Sequence, residues 1–312
     1  MTWKILITDG IESAGKEILT QECIVDDKKG IEAAELLQII PEYDAVIIRG
    51  RTKMTAEVIA AAKNLKVIGR MGVGVDNIDL KAAQAHQISV VNAAVATTQA
   101  VAELTLGFMF ALVREIPRAD ASMKAGQWLK KEFNGAELFG KTLGIIGFGN
   151  IGSTVGKYAQ ALGMNVLAFD PFRDQANIIA QGAECVSFDE LLSRSDMISI
   201  HAPYKEQNHH LINDEAFAKM KDGVFLVDDA RGGIVDEEAL LRALESGKVR
   251  GAALDVYEKE PPINWDLVKH PKVIATPHIG AQTKEAQCRA AVDISTEVLN
   301  ALNGKPLRWR IC

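Results

Sequence analysis

Short apolar runs alternate with amphipathic segments along most of the chain. In the first third, apolar runs lie at residues 5–8, 45–48, 67–69 and 89–91, with helical patterns at 31–40 and 56–62. Later in the chain, apolar runs recur at residues 165–169, 197–200, 224–227, 251–254 and 273–276, with helical patterns near 188–194, 214–220 and 237–246. Strands that alternate with helices are typical of parallel β-α-β units. The pattern therefore predicts an α/β protein with two parallel sheets, the second of them doubly wound.

A long apolar stretch at residues 99–126 separates these two regions and predicts one or two helices that carry the chain from one domain into the next. Apolar residues occupy several sides of this stretch, so we expect it to be buried. A partner subunit would cover it in a homodimer or a dimer of dimers, and a packed domain junction is the alternative. A final helix is predicted at residues 283–303, where Gly304 and Pro306 end it.

A glycine-rich turn follows the apolar run that ends at Ile146. Its sequence is Gly147-Phe148-Gly149-Asn150-Ile151-Gly152, and a helical segment comes next. The first glycine turns the chain, the second lets a pyrophosphate approach the backbone, and the third lets the helix pack on the strand. The next apolar run ends at Asp170, whose carboxylate can bind an adenosine ribose and repels a 2′-phosphate, although Arg173 lies close by. The motif predicts NAD rather than NADP, whereas the glycines alone would also suit a turn in another α/β protein.

Length, charge and cysteine content narrow the class of protein. At 312 residues the chain suits two domains, and its formal net charge of −6 argues against nucleic acid or an anionic membrane as the main partner. Its four cysteines are scattered, which is typical of a reduced, cytoplasmic protein without a metal site. No signal peptide is expected, and the most apolar helical run, residues 104–113, is shorter than the roughly 20 residues that span a bilayer.

Charged side chains follow three of the predicted strands in the second half. Arg231 comes after residues 224–227, Glu260 after 251–254, and His278 after 273–276. Ligands of open α/β sheets bind beyond the carboxyl ends of the strands. A guanidinium can hold a carboxylate with two hydrogen bonds, and an imidazole can accept or return one proton. Together the three residues predict a hydride-transfer site for an alcohol next to a carboxylate, although each alone could be an ordinary ion-pairing or solvated side chain.

Two adjacent histidines, His209 and His210, invite a metal-site interpretation. No third ligand lies near them in the sequence, so we predict no metal site here. His201 and Pro203, just before them, are predicted to line the cofactor pocket.

These motifs resemble those of the D-isomer-specific 2-hydroxyacid dehydrogenases. The resemblance rests on the glycine turn with Asp170 and on residues 230–237 (ARGGIVDE), 255–261 (DVYEKEP) and 277–280 (PHIG), and it extends along nearly the whole chain. Within the family, the phosphoglycerate dehydrogenases are the most similar at residues 48–53 (IRGRTK), 69–79 (GRMGVGVDNID) and 116–124 (IPRADASMK).

The resemblance implies two Rossmann-like or flavodoxin-like parallel-sheet domains. The NAD-binding domain, residues 98–284, would be inserted into a substrate-binding domain made of residues 1–97 and 285–312. Closure of the cleft between the two domains would bring the substrate against the nicotinamide ring.

The resemblance also implies roles for individual residues. Arg231 would hold the substrate carboxylate and C2 oxygen, His278 would be the acid and base, and Glu260 would pair with it. Asp255 would contact the nicotinamide amide. The other residues expected to contact NAD are Gly147, Gly149, Asn150, Ile151, Gly152, Asp170, Ala202, Pro203, Asp229, Ala230, Arg231, His278 and Gly280. The residues expected to contact the substrate are Arg49, Val73, Gly74, Lys130 and Arg231.

Some positions depart from the family pattern. The family often has Asn where this chain has Asp228, and Asp229 adds a second acid beside the expected nicotinamide pocket. Two carboxylates there could disfavour an anionic substrate. Lys130 stands where phosphoglycerate dehydrogenases place an arginine, and it could meet a phosphate or be an ordinary solvated lysine. Because the chain ends at Cys312, we do not expect feedback by serine through a further C-terminal domain.

The expected activity is NAD-dependent oxidation of a small-molecule D-2-hydroxy acid. The favoured substrate is 3-phospho-D-glycerate, which would become 3-phosphohydroxypyruvate in serine biosynthesis. A glyoxylate or hydroxypyruvate reductase, or another D-2-hydroxyacid dehydrogenase, is the alternative. A non-catalytic NAD-sensing scaffold or co-repressor is less favoured, because such a protein does not need Arg231, Glu260 and His278 together.

Overall fold

A computed structural model describes residues 2–312 of the chain. The strands are β1 (Trp3–Ile7), β2 (Cys23–Asp27), β3 (Ala45–Ile48), β4 (Val67–Arg70), β5 (Ser89–Asn92), β6 (Thr142–Ile146), β7 (Asn165–Phe169), β8 (Glu184–Cys185), β9 (Met197–Ile200), β10 (Val224–Asp228), β11 (Val249–Leu254) and β12 (Val273–Ala275). The α-helices are α1 (Ser13–Thr20), α2 (Ala33–Ile39), α3 (Ala56–Ala61), α4 (Leu80–Ala85), α5 (Thr98–Val113), α6 (Ile116–Lys124), α7 (Asn150–Ala161), α8 (Gln175–Ala180), α9 (Phe188–Arg194), α10 (Asp214–Lys219), α11 (Glu237–Glu245), α12 (Trp265–Val268) and α13 (Lys284–Leu302). Short 3₁₀ helices lie at Ile40–Glu42, Lys130–Glu132 and Glu206–Asn208.

The chain divides into two compact units. The first unit contains the chain up to Thr97 together with Ala281–Cys312, and the second is Thr98–Gly280. The chain returns to the first unit slightly earlier than the expected residue 285. The physical reason is the start of α13, where Gln287 Nε2 donates to the Ala281 carbonyl at 2.7 Å and Thr283 caps the helix by accepting from the Ala286 N–H.

The first unit is a five-stranded parallel sheet in the order β2-β1-β3-β4-β5. Its central strand β3 is buried along its whole length, because apolar clusters cover both faces of the sheet. Helix α13 packs against α1 on one of these faces. A Cβ atom at Gly15 would lie 2.6 Å from the Ala291 carbonyl oxygen, so this close helix contact requires glycine.

The second unit is a seven-stranded parallel sheet in the order β12-β11-β10-β9-β6-β7-β8. One apolar cluster lies on each face, and the strand order reverses between β6 and β9. Such a reversal opens a crevice at the carboxyl ends of the strands. The loops after β6, β9, β10, β11 and β12 all begin at this edge. The predicted α/β class with two parallel sheets is confirmed.

Local sequence signals explain where the helices begin and end. Asp236 caps α11 by accepting from the N–H groups of Glu238 and Ala239, and Ser187 with Glu190 forms a capping box at α9. The predicted stretch at residues 99–126 forms two helices, because Glu115 adopts a left-handed φ of 51° between α5 and α6. Within residues 2–312, no helix combines the length and apolarity needed to cross a membrane.

Candidate active site

The three motif glycines meet different surroundings. Gly147 has a φ of 88°, and a Cβ there would lie 2.7 Å from the backbone nitrogen of Ala202. A Cβ at Gly152 would lie 2.1 Å from the Gly147 carbonyl oxygen, so α7 could not pack on β6. A Cβ at Gly149 would meet no atom within 4 Å. The fold therefore requires the first and third glycines, whereas the second leaves open space where a pyrophosphate can approach the backbone.

Asp170 holds the glycine turn against the end of β7. Its Oδ2 accepts from the Phe148 N–H at 2.8 Å, and its Oδ1 accepts from the Phe172 N–H at 2.9 Å. Helix α7 begins at Asn150, directly after the open glycine, so its unpaired N–H groups point towards the same space. Asn150 is exposed, Ile151 is half-buried, and Arg173 is exposed. The geometry suits an adenosine ribose and two phosphates.

Arg231 lies in a tight turn after β10. The Asp228 carboxylate accepts hydrogen bonds from the backbone N–H groups of Ala230 and Arg231, and this holds the turn. Arg231 Nη1 donates to the Ala230 carbonyl at 2.7 Å. A Cβ at Gly232 would lie 1.8 Å from the Tyr257 carbonyl oxygen, so glycine is needed for the turn to pack on the loop after β11. This contact brings the turn next to the loop that carries Glu260.

His278 and Glu260 form a close hydrogen-bonded pair in the second unit. His278 Nδ1 lies 2.8 Å from Glu260 Oε2 and 3.0 Å from Oε1. Burial raises the pKa of the Glu260 carboxyl, but the hydrogen bond and charge of His278 outweigh it, helped by the charge of Arg231, and the pKa lies below its ordinary value. The carboxylate accepts the Nδ1 proton, which leaves Nε2 to exchange a proton with a ligand. Arg231, Glu260 and His278 thus lie at one edge of one sheet.

The backbone at His278 is held in an unusual conformation. Its φ of 55° is left-handed, which costs a non-glycine residue about 1–2 kcal/mol. Asp255 stabilises the loop, because its Oδ1 accepts from Ile279 N–H and its Oδ2 from Gly280 N–H, both at 2.7 Å. Thr276 Oγ1 also donates to Oδ1 at 2.6 Å. The resemblance implies that Asp255 contacts the nicotinamide amide, but in the structure its carboxylate is fully buried and faces the backbone of the His278 loop.

Asp229 lies in a buried chain of hydrogen bonds. Its Oδ2 lies 2.5 Å from Thr105 Oγ1, which is also 2.9 Å from the Val101 carbonyl. Its Oδ1 lies 3.3 Å from His201 Nδ1, and His201 Nε2 lies 2.8 Å from Ser199 Oγ. Burial raises the pKa of Asp229 well above its ordinary value and lowers the pKa of His201 to about 3. His201 is therefore neutral near pH 7, and the shift of the Asp229 pKa favours its neutral, protonated form.

The proton count around Thr105 closes when Asp229 is a carboxylic acid. Thr105 has one proton to donate, and if the Val101 carbonyl accepts it, the contact at 2.5 Å needs a proton from Asp229. Further along, Ser199 Oγ is hydrogen-bonded to His201 Nε2. His201 Nδ1 and Asp229 Oδ1 lie 3.3 Å apart, but among residues 2–312 neither atom has a hydrogen-bond partner.

Asp228 and Asp229 were expected to place two carboxylate charges near the nicotinamide pocket. Burial shifts Asp229 towards its neutral, protonated form. Burial also raises the pKa of Asp228 to about 7, although the N–H groups of its own turn and the charge of Arg231 oppose the rise. The two acids therefore bring much less negative charge to the site near pH 7 than their residue types suggest.

The other residues predicted to contact the substrate lie in the first unit and on a 3₁₀ helix of the second unit. In the first unit, Arg49 is half-buried and donates through Nη2 to Gln287 Oε1, while Val73 and Gly74 lie in the loop after β4. Asn77 ties these loops together by donating to the carbonyl of Arg49 at 2.7 Å. In the second unit, Lys130 is exposed on a 3₁₀ helix.

One protein-family model matches most of the second unit. Residues 106–280 match the model described as "D-isomer specific 2-hydroxyacid dehydrogenase, NAD binding domain". The chain belongs to this family. The matched region contains the glycine turn, Asp170, Arg231, Glu260 and His278, so the NAD interpretation of the motif is confirmed.

Relatives within the D-2-hydroxyacid dehydrogenase family carry different names. The chain is 47% identical to a D-3-phosphoglycerate dehydrogenase of Archaeoglobus fulgidus over 98% of its own length but only 58% of that relative. It is 45% identical to a hydroxypyruvate reductase of Thermotoga maritima over 96% of its own length and 98% of the relative. Among solved structures, a glyoxylate reductase from Paecilomyes thermophila superposes with a TM-score of 0.93 at 32% identity, covering 99% of this chain and 98% of that one.

Two groups of residues with chemically interesting contacts were not predicted from the sequence. Thr105 and Ser199 join Asp229 and His201 in the buried chain, and nothing near them in the sequence indicates this. Glu258 lies beside His209 and His210, and these three form a cluster with metal-ligating atoms. The prediction of no metal site was based on the lack of a third ligand nearby, and the fold brings one from a loop 48 residues away in sequence.

Proposed function

We propose that the chain catalyses NAD-dependent interconversion of a D-2-hydroxy acid and the corresponding 2-keto acid. The observation that carries this proposal is the hydrogen bond of His278 with Glu260 beside Arg231, at the same sheet edge as the glycine turn. A dinucleotide site alone would support many chemistries. An acid/base histidine next to a guanidinium suits an alcohol that neighbours a carboxylate.

In this proposal each residue has one task. Arg231 binds the substrate carboxylate and polarises the C2 oxygen. His278 Nε2 accepts the C2 hydroxyl proton during oxidation and returns it during reduction. Glu260 keeps the Nδ1 proton in place and stabilises the imidazolium that forms. NAD, held by the glycine turn and Asp170, would supply the hydride acceptor, so that oxidation of the substrate would release one proton to His278 and one hydride to the cofactor.

The remaining predicted contacts belong to the same proposal. We propose that the glycine turn lies at the pyrophosphate, that Asp170 contacts the ribose, and that Asp255 contacts the nicotinamide amide. The residues of the glycine turn in this set are Gly147, Gly149, Asn150, Ile151 and Gly152, and the pocket would be lined by Ala202, Pro203, Asp229, Ala230, Arg231, His278 and Gly280. Arg49, Val73, Gly74 and Lys130 would bind the substrate.

We propose 3-phospho-D-glycerate as the substrate, supported by the phosphoglycerate dehydrogenases among the relatives. Hydroxypyruvate or glyoxylate reduction is the second candidate, since a relative covered over 98% of its length carries the name hydroxypyruvate reductase. The test is a kcat/KM panel with NAD or NADH against phosphorylated and unphosphorylated acids, in both directions. We expect 3-phospho-D-glycerate and 3-phosphohydroxypyruvate to have the highest kcat/KM in their respective directions. Equal or better turnover of glyoxylate or hydroxypyruvate would contradict the phosphoglycerate assignment.

We also propose that the protein forms a homodimer through the face of α5 and α6. Phe110, Ile116 and Met123 are 41%, 51% and 54% exposed on these helices, and a second copy would cover them. Light scattering should give twice the mass of the chain. An Ile116→Asp variant should shift the mass towards the monomer, and an unchanged dimer would exclude this face.

A further inference from the structure

Three side chains with metal-ligating atoms converge on the surface of the second unit. One nitrogen each from His209 and His210 and one oxygen from Glu258 lie within 4.8 Å of one another. His210 Nε2 is 2.5 Å from Glu258 Oε1. We propose that this cluster binds a divalent transition-metal ion of the Zn²⁺ class. The proposal is independent of the dehydrogenase activity, since none of the three residues belongs to the proposed catalytic set.

The backbone at His210 explains how two adjacent histidines can serve one ion. Neighbouring side chains in an extended segment point to opposite sides. His210 instead has a left-handed φ of 49°, and the two imidazole rings stack with their centroids 3.8 Å apart. The His210 N–H donates to the Gly233 carbonyl at 2.8 Å, which holds this conformation against the Arg231 turn. Both rings therefore lie on the same side of the segment, with one nitrogen of each within 4.8 Å of the Glu258 carboxylate.

The donor set is one that zinc uses. Two imidazoles and one carboxylate can bind Zn²⁺ and leave a fourth position to water. Ligand atoms about 2.0–2.2 Å from a tetrahedral ion lie about 3.3 Å from each other. The ligand atoms here are already within 4.8 Å, and the side chains of His210 and Glu258 are 33% and 41% exposed, so small rotations can bring them to this spacing. The ion would replace the direct contact between His210 and Glu258.

Neighbouring groups support the ligands. Asp236 Oδ2 lies 3.8 Å from His210 Nδ1, where a carboxylate can orient a ligating imidazole. The Tyr204 hydroxyl lies 3.4 Å from His209 Nδ1, which favours Nε2 of that ring as the ligand atom. Glu237 Oε1 accepts from the Glu258 N–H at 2.8 Å and fixes the backbone of the third ligand. These acids also make the local field favourable for a cation.

A bound ion would join two loops of the candidate active site. Glu258 lies two residues before Glu260, and His209 and His210 follow the loop of Ala202 and Pro203. The ion would tie the loop after β9 to the loop after β11. The plain alternative is that His210 and Glu258 form only a hydrogen bond between these loops, and this alternative predicts no specific metal binding.

The test is a Zn²⁺ titration of chelator-treated, desalted protein in competition with a chromophoric zinc chelator. We expect one ion per chain. His209→Ala and Glu258→Gln should each weaken binding at least tenfold, and Mg²⁺ should not compete, since it prefers oxygen ligands. His86→Ala, which removes an exposed histidine in the first unit, and Cys288→Ser, which removes an exposed thiol, are matched controls and should bind as the unaltered chain does.

The outcomes separate the two interpretations without an activity assay. Absence of zinc binding, or equal affinity in the unaltered chain and Glu258→Gln, would overturn the proposal. A loss in the His86→Ala control as large as in His209→Ala would also overturn it, because binding would then not be confined to this cluster. Circular dichroism of each variant shows whether the variant is folded, so a loss of zinc binding caused by unfolding can be recognised.

Discussion

Replacing Asp229 with Asn tests whether this buried acid is neutral in the folded protein. Asn keeps the shape and can donate to Thr105 Oγ1, but it cannot ionise. Because the pKa of Asp229 is raised in the folded state, folding takes up a proton at any pH between the unfolded and folded values. The stability contributed by this group is fully present at acidic pH and is lost as the pH rises through that window.

The expected change in the free energy of unfolding with pH is set by the one additional proton that the folded chain binds at Asp229. Within the pH window between the two pKa values, the free energy of unfolding of the unaltered chain should fall, relative to Asp229→Asn, by at most about 1.4 kcal/mol for each unit of pH. The opposite slope from His201, whose pKa is lowered, is common to both proteins and cancels in the difference. Asp229→Ala should be less stable than Asp229→Asn by about 2 kcal/mol at both pH 5 and pH 6, because it leaves buried hydrogen-bonding groups without partners.

The assay is urea denaturation at the two pH values, with hydrogen exchange at β10 to observe the unit that contains Asp229. Asp222→Asn is the matched control, since Asp222 is 92% exposed and its hydrogen bond and ion pair with Lys248 lower its pKa. The difference in free energy of unfolding between the unaltered chain and Asp222→Asn should not change between pH 5 and pH 6. Parallel pH dependences for the unaltered chain and Asp229→Asn would mean that Asp229 is ionised when folded, and the proton count given for the buried chain would be wrong.

Three further variants test the proposed catalytic and cofactor roles. His278→Ala should lower kcat by about 10²–10⁴-fold while the Kd for NADH, measured by fluorescence, stays nearly constant, and retained turnover would remove His278 from the acid/base role. Arg231→Lys keeps the charge but loses the paired donors, so kcat/KM for the acid should fall by at least tenfold, whereas an unchanged value would exclude a two-point contact with the carboxylate. Asp170→Ser should reduce the preference for NAD over NADP in kcat/KM, and an unaltered ratio would show that Asp170 serves only to hold the glycine turn.

The sequence predicted the strands that lie inside the sheets, where both faces of the strand are buried. Strands β3 and β9 are buried throughout because helices cover both faces of their sheets, and Ser199 is the one polar residue in the two strands. Strands β2 and β8 were missed, and both lie at sheet edges. Residue Ile24 of β2 is 54% exposed, and β8 is only two residues long, so neither has the apolar run that marks a buried strand.

Candidate site residues were predictable where the chemistry lies in one short motif. Arg231, Glu260 and His278 each follow a strand, and strand ends share one edge of a parallel sheet, so their proximity could be inferred. The partners of Asp229 could not be inferred, because Thr105 is 124 residues away on α5. Glu258 and His210 are 48 residues apart, and their contact depends on how two loops turn. The amino-acid composition does not indicate that Asp229 is buried or that the backbone of His210 is left-handed.

The unequal surroundings of the three motif glycines bear on how related sequences should be interpreted. A descendant of this fold that no longer bound a dinucleotide would still need Gly147 for its backbone conformation and Gly152 for the contact of helix with strand. Only Gly149 would be released from constraint, because a side chain there meets nothing of the protein itself. In a survey of homologues, loss of that one glycine would distinguish chains that have abandoned the cofactor from chains that have merely drifted.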